Sequence, residues 1–216
     1  MRTPEKPRPR SDRLHIFVAS RLCNQPAQRW ESILRQLEED RNIMRSVYAP
    51  LRMAVNKELR DGGGAPFLDR LLERMERTPN LESIKANSRQ ALQIFISAVK
   101  PHISGFVEDY MTGRTGNVAF SFHGATLEGA FHAKVELRKG GEKLVYVHPS
   151  TWGGAEEAAF IELLAIMAEE CYGMTRKDIW FLDLKAGVIR RPHPTGVRLR
   201  QELAATVRHY LRLQGS

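Results

Sequence analysis

The sequence predicts an α/β protein of the mixed-sheet, α+β kind, in which a helical subdomain precedes a sheet covered by helices. Apolar residues recur at helical spacing from about residue 14 to residue 110, and the period then changes to strand-like alternation over 118–148. From residue 80 the predicted order is helix, three antiparallel strands, helix, strand and helix. This order predicts at least one parallel strand pair. We therefore divide the chain into a flexible basic arm (1–13), a helical subdomain (14–79) and a mixed-sheet domain (80–216).

The amino-terminal half is predicted to be helical after its basic arm. Residues 1–13 alternate Pro with Arg or Lys, which is typical of a flexible segment. A helix is predicted over 43–59, and Pro50 either kinks it or marks its start. Pro101 interrupts a later helix, and the apolar spacing over 103–110 predicts that its buried face continues beyond the proline.

The carboxy-terminal half contains the strand signals. Short runs of alternating or continuous apolar residues predict four strands, at 118–122, 127–137, 144–148 and 179–182, and the chain returns from the last strand through Gly187-Val188-Ile189. The Gly140-Gly141 pair predicts a hairpin turn, and Thr195 is expected to cap the last helix.

A further helix is predicted between Gly154 and Gly173, with apolar residues along one side. Its glutamates are predicted to form a solvated outer face, and those in the first turn are favoured by the helix dipole. These glutamates are Glu156, Glu157, Glu162, Glu169 and Glu170.

Positive charge is concentrated at the two ends of the chain. Lys and Arg total 33 against 25 Asp and Glu, which gives a net charge of +8. Residues 1–13 hold five basic and two acidic residues, and residues 185–216 hold seven basic residues and one acidic residue. Such a concentration of positive charge attracts polyanions, because each neutralised phosphate of a nucleic acid releases a condensed counterion. The charge therefore predicts DNA or RNA as the partner, with an acidic protein as the competing candidate.

Arginines near the carboxyl terminus are the best candidates for that contact, because guanidinium groups bind phosphate oxygens bidentately. The nearby Trp180 and Tyr210 have the spacing of core residues, so no aromatic ladder for stacking single-stranded bases is indicated. Contact with the backbone of a duplex or of folded RNA is predicted instead. The predicted nucleic-acid-binding set is Arg190, Arg191, Arg198, Arg200, Arg208 and Arg212.

Three short segments follow one another at the ends of predicted elements. They are Gly129-Ala130-Phe131-His132, Val147-His148-Pro149-Ser150-Thr151 and Glu169-Glu170-Cys171-Tyr172-Gly173. In order and rhythm, over about residues 80–185, this arrangement resembles the PD-(D/E)xK nuclease superfamily, particularly its RecB-like branch. The resemblance implies a restriction-endonuclease-like core for the mixed-sheet domain.

The polar residues that the resemblance implies for catalysis are replaced in this chain. His132 stands in place of the family's Asp, His148 in place of its second carboxylate, and Ser150 in place of its Lys. Such nucleases hold Mg²⁺ with carboxylate oxygens, and the Lys helps to activate the attacking water. Imidazole is a poor ligand for Mg²⁺. The resemblance therefore implies the scaffold without this reaction.

Two arrangements keep a catalytic alternative open. His132 and His148 are expected on one polar face of adjacent strands, where Glu136 or Glu128 would complete a ligand set for a divalent transition metal. Asp183 and Lys185 have the spacing of a displaced Asp-x-Lys pair on one strand face. The structural alternatives are two half-exposed histidines without a ligand and an ion pair at a strand end.

Composition and cysteine usage bound the class of protein. Hydrophobic residues make up 42% and charged residues 27%, as in ordinary globular proteins. No apolar run approaches the roughly 18 residues of a membrane-spanning helix, and the first 15 residues lack the apolar region of a secretory signal. Cys23 and Cys171 form no metal-binding or disulfide pattern, so we expect a reduced cytoplasmic protein without a cofactor.

These observations predict a non-catalytic, nucleic-acid-associated or regulatory binding protein that contacts phosphates through arginines. The helical amino-terminal part is expected to serve as a partner surface or as a homodimer surface. Two alternatives stay open: a metal-dependent nuclease with non-standard ligands, and an inhibitor or adaptor that binds only protein.

Overall fold

The structure is a computed structural model that describes residues 13–23, 25–36, 48–75, 80–110, 117–148 and 154–215. The helices are α1 (Ile16–Leu22), α2 (Ala49–Arg60), α3 (Gly64–Glu73), α4 (Leu81–Ile94), α5 (Gly154–Tyr172) and α6 (Val197–Gly215). Residues 30–36 are also helical. The strands are β1 (Arg13–His15), β2 (Ile103–Asp109), β3 (Val118–Phe122), β4 (Ala125–Gly129), β5 (Ala133–Leu137), β6 (Glu142–His148), β7 (Ile179–Asp183) and β8 (Val188–Arg190). The predicted α+β class is confirmed.

The strands form two sheets. The larger has the order β2-β5-β6-β7-β8, and the smaller has the order β1-β4-β3. In the larger sheet β6 and β7 are parallel, with Tyr146 opposite Phe181, and the other neighbours are antiparallel. Because α5 lies between β6 and β7 in the chain, it is the crossover helix that a parallel pair requires. The parallel pairing predicted from the element order is thus confirmed.

Two hydrophobic cores lie on opposite faces of the larger sheet. On one face Leu144 and Phe181 pack with α5, α1, α6 and the smaller sheet. On the other face Val145, Val147 and Leu182 pack with α2, α3 and α4. The division follows from the alternation of side chains along each strand. The helices predicted as a subdomain over 14–79 are shared between these two cores.

Helix α5 is the central element of the first core. Ten consecutive residues, 159–168, are buried, so the helix is enclosed on all sides rather than on one stripe. Gly173, just past its end, has a φ of +61°, a left-handed conformation that glycine adopts without steric cost. The helix end predicted from this glycine is confirmed.

Three expectations from the sequence are corrected. Residues 103–109 form strand β2 rather than a continued helix, and register shifts between Ile103 and Gly105 and between Phe106 and Glu108 explain the misleading spacing. Such bulges place inward-facing residues three apart, as in a helix. The single strand predicted over 127–137 is two strands, β4 and β5, in different sheets. The flexible arm predicted over 1–13 does not include Arg13, because this residue begins β1. Residues 1–12 lie outside the described part of the chain.

Candidate functional site

One end of the larger sheet collects buried polar side chains. At this end β2, β6 and β7 finish and β5 begins, while α2 and the first turn of α5 lie beside it. A buried polar group is costly unless it is paired, so such a cluster is a candidate site. The buried members are Asn56, His132, His148, Glu157 and Asp183.

The two histidines lie in an aromatic layer beneath α5. The ring of His132 stacks on Tyr146 with centroids 4.4 Å apart, and the ring of His148 stacks on Phe181 at 5.4 Å. Burial lowers the pKa of His132 well below its usual range and lowers the pKa of His148 to about 4. Both imidazoles are therefore neutral at pH 7. Neither the polar face expected for a metal site nor the half-exposed alternative is right, because both histidines are buried and each ring stacks on an aromatic ring.

The histidine-based metal set does not assemble. His132 Nδ1 accepts a hydrogen bond from the backbone N–H of Val147 at 2.8 Å, so that nitrogen is occupied. Glu136 is exposed and lies four residues along the chain, about 13 Å away at strand spacing. Within the described ranges, no three His, Cys, Asp or Glu side chains come close enough to hold a metal ion together. The imidazoles at the positions implied by the nuclease resemblance do not fit Mg²⁺, and Ser150 lies outside the described residues.

Asp183 is fully buried at the end of β7, directly opposite His148 in the register. Its Oδ1 accepts a hydrogen bond from the backbone N–H of Ala186 at 2.9 Å, and its Oδ2 accepts one from Nη2 of Arg190 at 3.2 Å. Lys185 is exposed in the following turn. The Asp-x-Lys spacing therefore does not place the carboxylate and the ammonium group in one site.

Arg190 also faces Glu157 in the first turn of α5. Arg190 Nε lies 2.8 Å from Glu157 Oε1, within ion-pair distance but without hydrogen-bond alignment. Glu157 Oε2 is buried and has no hydrogen-bond partner among the described residues. Burial raises the pKa of Glu157, Arg190 lowers it, and Asp183 raises it further, with a net increase. Two buried carboxylates thus share one guanidinium group.

Asn56 on α2 joins the sheet end to the opposite core. Its Nδ2 donates to Asp109 Oδ1 at 2.7 Å and to the carbonyl oxygen of His132 at 3.2 Å. The amide therefore ties together the end of β2 and the start of β5. The side-chain oxygen of Asn56 is buried with no hydrogen-bond partner in the part of the chain that the structure describes.

A second buried ion network joins α5 to α6. Glu162 accepts hydrogen bonds from both terminal nitrogens of Arg176, at 2.8 Å from Nη1, and from Nε of Arg200 at 2.8 Å. Arg200 Nη2 also donates to Glu169 at 2.5 Å. Burial lowers the pKa of Arg200, but the hydrogen bonds that it donates to Glu169 and Glu162 raise it overall. A Cβ on Gly196 would lie 2.5 Å from Glu162 Oε2, so the network needs glycine there.

The solvated acidic face predicted for this helix is wrong for two of its members. Glu157 and Glu162 are buried, while Glu170 is exposed and Glu156 pairs with Arg21 at 3.2 Å. The signal that sequence reasoning missed is Glu162 itself, the single charge in the apolar run 159–168. A lone charge in such a run is almost always buried with a partner.

The predicted arginine set divides into two groups. Arg190 and Arg200 are bound to buried carboxylates inside the fold. The other four are exposed: Arg191 lies beyond β8, and Arg198, Arg208 and Arg212 lie on α6. With about 3.6 residues per turn, these three positions fall within about 80° of arc and span about 21 Å of helix.

The exposed arginines differ in their partners. Arg198 pairs with Glu202 in the next turn, at 2.9 Å. Arg212 contacts the ring nitrogen of His209 at 3.4 Å. Arg208 and the exposed Arg191 have no carboxylate within ion-pair distance among the residues described. The α6 arginine face, defined as Arg198, Arg208 and Arg212, therefore keeps most of its charge unneutralised.

Neither protein-family models nor curated proteins add information about this geometry. The chain matches no protein-family model and no curated protein. In the described segments, no helix has the length and apolarity needed to cross a membrane.

Proposed function

We propose that this protein binds nucleic acid, as a non-catalytic or regulatory component, through phosphate contacts made by the α6 arginine face. The observation that carries the proposal is the exposure of three arginines on one side of a single helix. A helix is rigid, so the guanidinium groups are held at fixed spacings along about 21 Å. Guanidinium groups bind phosphate oxygens in a bidentate fork.

The charge available for this contact is smaller than the sequence predicts. Arg190 and Arg200 neutralise buried carboxylates, so the proposal rests on the α6 arginine face and on Arg191 beyond β8. An exposed pair one helical turn apart, such as Arg198 with Glu202, has a small free energy of about 0.3–0.5 kcal/mol. Phosphate oxygens therefore compete readily for Arg198.

The face favours backbone contact over base stacking. The residues between the arginines on this side are Gln201 and Ala205, and the aromatic Tyr210 is buried on the opposite side of α6. Base stacking needs exposed aromatic rings. We infer that the ligand is a duplex or a folded RNA, read through its phosphates, and that the protein acts in the cytoplasm.

The proposed role is non-catalytic because, within the part of the sheet end that the structure describes, no set of three potential metal ligands comes together. Its imidazoles are neutral and stacked among aromatic rings, and Asp183 is held by Arg190 and by a backbone N–H. A metal-dependent nuclease needs carboxylate oxygens directed at the metal.

Fluorescence anisotropy with duplex DNA and with a folded RNA, across a range of salt concentrations, tests the proposal. The triple variant Arg198→Gln, Arg208→Gln, Arg212→Gln is compared with the wild type. Each phosphate contact contributes about −0.9 to the slope of log K against log salt on duplex DNA. We expect the triple variant to bind at least tenfold more weakly and its slope to be smaller in magnitude by about 3.

The matched control separates a local interface from net charge. Arg70→Gln, Arg74→Gln, Arg138→Gln removes the same three charges at exposed positions away from α6. We expect this control to bind nearly as the wild type does. Equal losses in the two triple variants, or no salt-dependent binding by the wild type, contradict the proposal and leave an acidic protein partner as the alternative.

A further inference from the structure

Two buried carboxylates face a single positive group at the end of the larger sheet. Asp183 has no solvent exposure and the Glu157 side chain is 8% exposed, yet each lies within ion-pair distance of Arg190. The distances are 2.8 Å from Nε to Glu157 and 3.2 Å from Nη2 to Asp183. The guanidinium group thus lies between two carboxylates that belong to different elements, α5 and the end of β7.

Arg190 neutralises this pair incompletely. One positive charge faces two carboxylates, and Arg190 Nε is not aligned for a hydrogen bond to Glu157. Glu157 Oε2 is buried without a hydrogen-bond partner in the described ranges. A buried acceptor that is left without a hydrogen bond destabilises the folded state. The pair therefore has the negative charge and the unpaired acceptor oxygen needed to bind a cation of higher charge than a guanidinium group.

Arg190 can leave this position without disrupting a core. Its side chain is 41% exposed, and it extends from β8, a three-residue strand at the edge of the sheet. Its removal opens the carboxylates toward solvent rather than leaving an enclosed cavity.

We propose that Glu157 and Asp183 form a cation-binding pair whose resident cation is the guanidinium group of Arg190, and that the pair takes a divalent metal ion when this group is withdrawn. Carboxylate oxygens suit hard ions such as Mg²⁺ and Mn²⁺. Mg²⁺ is commonly held by one or two carboxylates while it keeps several waters. Arg190 thus substitutes for the metal in the folded chain, and the site uses neither His132 nor His148.

The test compares the Arg190→Ala variant with the wild type in chelator and in Mn²⁺ or Mg²⁺. Equilibrium unfolding in urea and the electron paramagnetic resonance of Mn²⁺ are the two readouts. A ligand that binds only the folded state at about ten times its Kd raises the folded-to-unfolded ratio about tenfold. We expect that increase, and one bound Mn²⁺ per chain, for Arg190→Ala, and no change for the wild type.

Controls make each outcome decisive. The double variant Arg190→Ala, Glu157→Gln lacks one carboxylate and should lose the metal response. Arg138→Ala, at an exposed arginine, should show no metal response, as in the wild type. Arg190→Gln retains a hydrogen-bond donor and serves as the folded sample if Arg190→Ala does not fold in chelator. Recovery of folding by Mn²⁺ supports the proposal. Absence of a metal response in both single variants at Arg190, or an equal response in the wild type, overturns it.

Discussion

Glu162 Oε1 on α5 accepts a hydrogen bond from Arg200 Nε on α6 at 2.8 Å, and this contact joins two 19-residue helices through a buried charge. The carboxylate is 1% exposed and also binds Arg176. The pair therefore holds the beginning of α6 against α5, and with it the helix that presents the α6 arginine face.

Removal of the Glu162 charge should destabilise the fold. Glu162→Gln leaves Arg176 and Arg200 without their carboxylate, and breaking a buried pair in this way costs about 3–5 kcal/mol. Because both arginines retain some solvent exposure, we expect a value near the lower end of that range. Urea unfolding measures the loss. The control Glu170→Gln, at an exposed position on the same helix, should change the free energy of unfolding by less than about 0.5 kcal/mol. Similar losses for both variants would show that the buried charge of Glu162 does not stabilise the fold.

Gly196 should not tolerate a side chain. Its φ is +56° and an added Cβ would lie 2.5 Å from Glu162 Oε2, so Gly196→Ala combines backbone strain with a clash against the buried network. Gly173 provides the matched control, because its φ is +61° and it has nothing within 4 Å. Gly173→Ala should cost about 1–2 kcal/mol, the backbone strain alone. Gly196→Ala should cost at least about 1 kcal/mol more in urea unfolding, and equal costs would contradict the crowded geometry.

Stability should fall as the pH drops below about 6.5. Burial lowers the pKa of His148 to about 4, so between these two pH values the unfolded chain binds a proton that the folded chain does not. The stability that neutral His148 contributes is fully present above pH 6.5 and is lost as the pH falls toward 4. This histidine can lower the free energy of unfolding by at most about 1.4 kcal/mol per pH unit, and by about 3 kcal/mol over the whole range.

The variant His148→Phe isolates that contribution. It keeps an aromatic ring against Phe181 but removes the titrating group, so the free energy of unfolding should depend less steeply on pH between 4 and 6.5. His132, whose pKa is also lowered by burial, should account for part of the remaining slope. His102→Gln, at an exposed histidine, is the control for the loss of one imidazole. A slope unchanged by His148→Phe would contradict burial of a neutral imidazole.

The amide of Asn56 should contribute to stability through its contact with Asp109. Asn56→Ala removes the hydrogen bonds to Asp109 and to the His132 carbonyl, and the loss should be about 1–3 kcal/mol. A double-mutant cycle with Asp109→Ala should give a coupling energy of about 0.5 kcal/mol or more. Asn87→Ala, on the exposed side of α4, is the control that should have little effect. A coupling energy near zero would show that the two side chains act independently.

Local patterns predicted the parts of the fold that neighbouring residues decide. The Gly140-Gly141 turn, with φ values of +83° and +86°, lies between β5 and β6 as predicted. Pro50 lies at the start of α2, one of the two alternatives left open by the sequence. In contrast, β2 was not predictable from spacing, because its bulges result from pairing with β5.

The candidate site was predictable only in part. Asp183 and His148 were singled out by short motifs, and the structure places them opposite each other on β7 and β6. Their proposed roles depended on which partner each side chain meets, and those partners come from distant segments. Asp183 meets Arg190 rather than Lys185, and His132 meets Tyr146 rather than Glu136.

By itself the sequence determined the α+β class, the crossover between two parallel strands and the concentration of arginines near the carboxyl terminus, because these depend on composition, periodicity and element order. Only the tertiary structure decided which arginines stay exposed. A guanidinium group has the same charge wherever it occurs in the chain, but Arg200 lies against buried Glu162 while Arg208 points to solvent. Burial and pairing are properties of three-dimensional neighbours, and they determine whether a charge stabilises the fold or remains available to a ligand.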